Sequence, residues 1–176
     1  MITTIKKLFT LIAAIACTLT LHAQGVAFEW QGIRLVHPSN YEITDKDYNE
    51  GIYTFSCEIK NDDVFSMMEV SLTINDTIAR QTREDAIEVA KICLDETAKD
   101  VSCGMTKMRL GKTKVNRSHR YVYVYRTFTG SFFGELIWGK FITLINGNKL
   151  VTMVLIAESP FYLRDLKKTA NTIQID

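Results

Sequence analysis

Proline is almost missing from this chain: Pro38 and Pro160 are the only two in 176 residues. No segment can therefore be a proline-rich spacer or recognition arm. Glycine is sparse as well, and its nine residues form no phosphate-cradling loop. Histidine occurs three times, at 22, 37 and 119, and neither His37 nor His119 lies at a short spacing from a cysteine or another histidine of the kind zinc requires. Charge of one sign is lacking too, since 21 basic residues face 20 acidic ones for a formal net charge of +1. That balance argues against a dedicated nucleic-acid binder. No apolar run is long enough to cross a membrane as a helix.

What is present begins with MITTIKKLFTLIAAIACTLTLHAQ. Lys6 and Lys7 precede a charge-free apolar run of 14 residues, Leu8 to Leu21. That is the length of a signal-peptide core and too short for a span. Leu21-His22-Ala23 ends on a small residue, so cleavage is expected between Ala23 and Gln24, leaving 153 residues. Cys17 offers a rival reading, because Ala14-Ile15-Ala16-Cys17 is a faint lipoprotein box. A large aliphatic residue is expected where Ala14 stands, and no polar tether follows, so a periplasmic or secreted protein is the preferred expectation. Losing Lys6 and Lys7 leaves 19 basic and 20 acidic residues. The remainder, 24–176, suits a single domain with a sizeable core. It keeps three cysteines, Cys57, Cys93 and Cys103, an odd number that cannot make a closed disulfide framework. Their pairing and the oligomeric state are open at this level.

The periodicity predicts short strands at VAFEW, 33–37 and YEIT, then strands at 52–60 and 64–74 joined by the turn-forming Asn61-Asp62-Asp63. Thr82 is an N-cap candidate with Asp85 in capping-box position, and Ile87, Ala90, Leu94, Thr97 and Val101 form the inward stripe of a helix that Gly104 stops. A strand over 105–115 should turn Met108 and Leu110 inward. Strands at 119–128, 132–145 and 149–157 follow, with turns at Thr129-Gly130-Ser131 and Asn146-Gly147-Asn148. Ser159 and Pro160 open a last helix carrying Leu163, Leu166, Ala170 and Ile173 inward.

The run YVYVYRTF, 121–128, puts tyrosines on one face and Val122, Val124 and Phe128 on the other. LIWGKFITLI and LVTMVLIA are likewise apolar on both faces, so these strands need cover from both sides. The expected architecture is α+β, a central antiparallel sheet of about six to eight strands with helices on both faces, an α/β/α sandwich.

This order of elements, with GIRLVHPSNYEI near its start, resembles the PsbP-like superfamily, which includes extrinsic subunits of the oxygen-evolving photosystem, a Ran-binding nuclear import factor and many exported bacterial proteins. Pro38 and Tyr41 stand where that family has a proline and then an aromatic residue opening a strand. Gly111 to Asn116 lead into an aromatic strand with Gly130 after it. The resemblance implies a mostly non-enzymatic protein that binds a partner or steadies a complex, with no shared catalytic residues and no cofactor.

Several groupings could still carry chemistry. Asp45, Asp47 and Asn49 in DKDYNEG have the one-three-five spacing of a calcium loop, but Glu50 stands where glycine is needed and Ser56 where a bidentate glutamate is needed; a polar hairpin is the better reading. Ser118 beside His119 is mere adjacency, and Cys103 has no assignable partner base. Asp76-Thr77-Ile78 resembles an O-glycosylation acceptor. Charge is segregated: Lys107, Arg109, Lys112, Lys114, Arg117 and Arg120 crowd 105–120 without an acid, while 42–63 holds seven acids against Lys46 and Lys60. A basic surface of this kind can orient a protein partner or an anionic headgroup. The expected function is an exported, non-enzymatic binding or accessory protein of the cell envelope. The alternative is a ligand carrier or small enzyme with a pocket lined by Tyr121, Tyr123, Tyr125 and Trp138 and an acid such as Glu135 or Glu158 nearby.

Overall fold

The computed structural model describes residues 25–61 and 63–176. The expected leader, its cleavage point and Cys17 lie outside the described residues. The elements run β1 (Gly25–Trp30), β2 (Ile33–Pro38), β3 (Tyr41–Asn49), β4 (Ile52–Ile59), β5 (Ser66–Ile74), α1 (Arg83–Cys103), β6 (Thr106–Leu110), β7 (Lys114–Val115), β8 (Val122–Phe132), β9 (Glu135–Asn146), β10 (Lys149–Ala157), α2 (Pro160–Asn171) and β11 (Gln174–Ile175).

The fold is α+β. Eight antiparallel strands form one sheet in the order β3-β4-β5-β10-β9-β8-β6, with β7 also paired to β8. The doubly apolar strands β8, β9 and β10 lie inside it, as their composition demands. One face carries Val122, Val124, Phe128, Ile137, Phe141 and Ile145, packed under Ile87, Ala90 and Leu94 of α1. The other carries Tyr121, Tyr123, Ile142, Leu144, Met153 and Leu155, packed under Leu163, Leu166 and Ala170 of α2. Each such side chain removed from water contributes about 1.5–3 kcal/mol.

α2 does not cover its face alone. β1, β2 and β11 form a separate three-stranded sheet that packs Ile33, Leu35 and Ile175 onto the same core. The two N-terminal strands are thus a second cover layer, because Ile33, Leu35 and His37 are buried while Arg34 and Val36 face out, a strict one-sided alternation.

Both helices begin as their caps require. The Thr82 hydroxyl accepts from the Asp85 amide at 3.2 Å. Asp85 returns its carboxylate to that hydroxyl at 2.7 Å, where a full capping box would reach the amide. Ser159 accepts from the Tyr162 amide at 3.4 Å, with Pro160 at the first helical position. In α1 the buried stripe is Ala86, Ile87, Ala90, Leu94 and Ala98, so Thr97 and Val101 sit at its margin, only half-buried. Small alanines let the helix approach the sheet closely.

Two expectations are corrected. Thr129, Gly130 and Ser131 are not a turn but the continuation of β8, paired with Trp138, Ile137 and Leu136; the chain reverses at Phe133-Gly134, both left-handed at φ 48° and 91°. Gln31-Gly32 and Glu50-Gly51 turn in the same way, and this mirror-image turn matches the twist of its flanking strands. The strand expected over 105–115 is broken into β6 and β7. Lys107 is left-handed at φ 54° and the register slips between Thr106 and Arg109, so the alternation fails and Leu110 stays 42% exposed.

Candidate functional site

The tyrosine row is chiefly core. Tyr121 and Tyr123 are buried, while Tyr125 and Trp138 are half-buried against the same cluster. Alternation along β8 aims all three tyrosines at one face, and the cover layers then settle their fates. The Tyr121 hydroxyl accepts from the Ile175 amide at 3.0 Å and donates to the Ile175 carbonyl at 3.4 Å. The Tyr123 hydroxyl accepts from Lys140 Nζ at 3.2 Å, and burial pushes that phenol up to about 12. The His119 ring packs 4.8 Å from that of Tyr123; burial first, then Arg120, holds its imidazole below the ordinary value.

Lys140 is the charged group on the tyrosine face that the sequence pattern did not single out. It interrupts the apolar run of β9, and its ammonium lies 4.3 Å from the centre of the Tyr125 ring. Burial, with Lys167 nearby, pulls it down to about 8. A charge in the middle of LIWGKFITLI was the available signal, since half-buried lysine without a paired acid is costly.

Beside it runs a groove of about 460 Å³ lined by Arg109, Thr127, Thr129, Trp138, Leu163 and Lys167, among others. Of the four expected pocket residues only Trp138 lines it. Tyr121 and Tyr123 are not available to a ligand from outside, because helix, small sheet and C-terminal strand cover them. Glu135 sits exposed at the β8–β9 hairpin, and Glu158 accepts from the Phe65 amide at 3.2 Å, away from the groove lining.

The basic residues fall at one edge of the sheet. Lys107 and Arg109 are on β6, Lys114 on β7 and Lys112 between them, all exposed. None makes a salt bridge with another described residue. Arg117 differs: it grips Glu84 at 2.7 and 3.4 Å and holds that carboxyl below its usual range. Arg120 lies over the Tyr121 ring at 4.5 Å. The loop that carries both is pinned by Arg83, whose Nη2 reaches the carbonyls of Arg117, His119 and Tyr121 at 3.5, 3.0 and 3.3 Å. Glu42, Asp45 and Asp47 belong to β3, the opposite edge, so sheet order converts charge segregation in sequence into separation in space.

The calcium spacing is drawn out along a strand. Asp45, Asp47 and Asn49 all lie in β3, Asp45 at φ 50° in a bulge and the Asp47 carboxylate accepting from the Tyr48 amide at 2.8 Å. Among the described residues no group of three acid, histidine or cysteine side chains converges as a metal site. His37 is buried and its Nδ1 donates to the Pro38 carbonyl at 2.9 Å. Ser118 bonds Asn116, not His119. Among the described residues Cys57, Cys93 and Cys103 form no disulfide; burial pushes the Cys57 thiol up to about 12, and Cys103 is exposed. Asp76 and Thr77 form the polar turn after β5, where Asp76 accepts from Asn148 and Thr77 binds Asn75.

An antiparallel sheet held between one helix and a helix-plus-small-sheet layer defines an α+β sandwich, and its topology is PsbP-like. Cyanobacterial PsbP (CyanoP) from Synechocystis sp. PCC 6803 superposes with a TM-score of 0.61 over 88% of this chain and 94% of that one, at 15% identity. A protein of Bacteroides thetaiotaomicron VPI-5482 superposes with a TM-score of 0.55 over 87% of this chain, at 13% identity; this chain spans 49% of that one. These likenesses establish the fold and nothing finer. No family model and no curated protein matches the sequence. Among the described residues no helix is long and apolar enough to cross a membrane.

Proposed function

We propose that this is an exported accessory protein of the cell envelope that works by binding, without catalysis, and engages an acidic protein surface through the β6–β7 edge. One observation carries the reading: Lys107, Arg109, Lys112 and Lys114 project from that edge without ionic partners among the described residues, at the far side of the sheet from the acids of β3. Unpaired cations of one sign on an edge strand keep it from pairing with other edges. They also steer and orient an oppositely charged partner, raising the association rate more than the affinity. The apolar, signal-like N-terminus supports export, and the PsbP-like fold is compatible with a binding role.

The test is crosslinking of the tagged protein in its native envelope, read by mass spectrometry alongside the Lys112→Glu/Lys114→Glu variant. A single saturable protein partner, weakened by salt and at least tenfold less captured by the variant, supports the reading. Equal capture by both forms, or no saturable partner, removes it.

A further inference from the structure

We propose that the groove beside Lys140 is a binding site for an organic anion, with the acid group set between Lys140 and Lys167 and an apolar body lying along Trp138 and Leu163. The groove shares Arg109 with the β6–β7 edge but rests on Lys140 and Lys167, which lie away from that edge on β9 and α2, so changes at Lys112 and Lys114 test the edge and changes at Lys140 and Lys167 test the groove.

Uncompensated positive charge collects on this face of the sheet. Lys140 does not itself line the groove but borders it on the tyrosine face, next to two residues that do, Thr127 directly across on β8 and Trp138 two positions earlier on β9. Its ammonium donates to the Tyr123 hydroxyl and lies over the Tyr125 ring of β8, Lys167 of α2 repels it, and among the described residues no acid forms a salt bridge with it. Lys140 and Lys167 are both half-buried, and neither makes a salt bridge with a described residue. Two ammonium groups that repel each other while partly out of water are costly unless an anion joins them. The phenol and ring face of the tyrosines supply only a weak substitute.

The groove has the composition to hold the rest of such a molecule. Trp138, Leu163 and Pro160 make an apolar wall, Thr127 and Thr129 add hydroxyls on the same floor, and Arg109 stands among the lining residues as a further cation. Its volume of about 460 Å³ falls within the ordinary range for small-ligand sites. A few placed cations on a largely apolar surface select acids with a hydrocarbon or aromatic body over both inorganic ions and neutral hydrophobes. The recognised chemistry is shared by carboxylates and phosphate monoesters, and lysine serves both as a point charge.

Isothermal titration of the purified protein at pH 7 with decanoate, decyl phosphate and decanol tests this. Both anions should bind saturably and decanol at least tenfold more weakly, the stronger anion identifying the ligand class. Lys140→Met and Lys167→Met should each weaken the anions at least tenfold while Lys112→Glu/Lys114→Glu leaves them unchanged. Decanoate affinity should also fall between pH 7 and 9.5 as Lys140, pulled down to about 8, loses its proton. Should Lys140→Met fail to fold, the Lys167→Met variant on the helix surface and the pH series decide. No binding of either anion, decanol within threefold of decanoate, or both lysine variants binding like the parent would overturn the proposal.

Discussion

The hydroxyl of Tyr121 closes on the backbone of Ile175, accepting its amide hydrogen at 3.0 Å and donating to its carbonyl at 3.4 Å across 54 residues of sequence. Asn146 Nδ2 donates to the same carbonyl at 2.8 Å. The first tyrosine of the aromatic row is therefore a clamp on the C-terminal strand, and its ring is core. Replacing it with phenylalanine keeps the ring and strands a buried amide. Tyr121→Phe should cost about 1–2 kcal/mol in urea unfolding and speed amide exchange at Ile175.

Gly139 is required by a neighbour, since a Cβ built there would lie 2.0 Å from Cζ of Phe128, directly across on β8. Phe128 in turn stacks on Phe141, 4.4 Å between centroids, beneath α1. Gly139→Ala must displace a ring in a filled core. Its thermal unfolding midpoint should drop in proportion to about 1–3 kcal/mol. A midpoint equal to the parent's would mean that the ring has room to move.

Phe133 holds the opposite kind of position: 93% exposed, and left-handed at φ 48° in the β8–β9 turn. Asparagine tolerates that backbone far better than an aromatic residue does. Phe133→Asn should stabilise the protein by about 0.5–1 kcal/mol in denaturant unfolding, with no loss of fold.

Lys140 sets a pH dependence whose sign is fixed by the direction of its shift. Folding pulls it from 10.5 down to about 8, so between those values the unfolded chain keeps a proton that the folded chain has released. Stability from this group therefore increases with pH across that window. Cys57 and Tyr123, both pushed up to about 12, act oppositely above their unfolded values of 9.0 and 10.0, because folding resists their ionisation. The difference between parent and Lys140→Met isolates the lysine: the parent should gain about 1 kcal/mol relative to the variant between pH 8 and 9 in urea titrations. A constant difference across that interval would show that Lys140 is fully solvated.

The fold was legible wherever one physical cue dominated. Period-two patterning with apolar residues on both faces placed β8, β9 and β10 inside the sheet, and the Thr82 and Ser159 caps located both helix starts to the residue. Cues in competition misled. Thr129-Gly130-Ser131 has turn composition, yet cross-strand pairing with Leu136 to Trp138 holds it extended while Phe133, a poor turn residue, takes the reversal. Lys107 offers no sign of its bulge, because any residue can be forced into one by the pairing on either side. The small sheet also escaped notice: its third strand, Gln174-Ile175, is two residues long and exists only because β2 is there to receive it.

For the site the division is similar. Sequence by itself determined the charge segregation, the one-sided row of tyrosines and the doubly covered sheet, since each follows from residue type and spacing along a strand. Which strand became an edge was decided only by tertiary structure, and that choice put the acids of β3 and the cations of β6 and β7 on opposite sides. It also buried Tyr121 and Tyr123 beneath α2 and β11 while leaving Trp138 beside an open groove. Lys140 and Lys167 are 27 positions apart, on a strand and a helix, and only the packing of α2 across the sheet lets one charge act on the other. Local sequence fixes which way a side chain points; what lies opposite depends on chain segments far away in sequence.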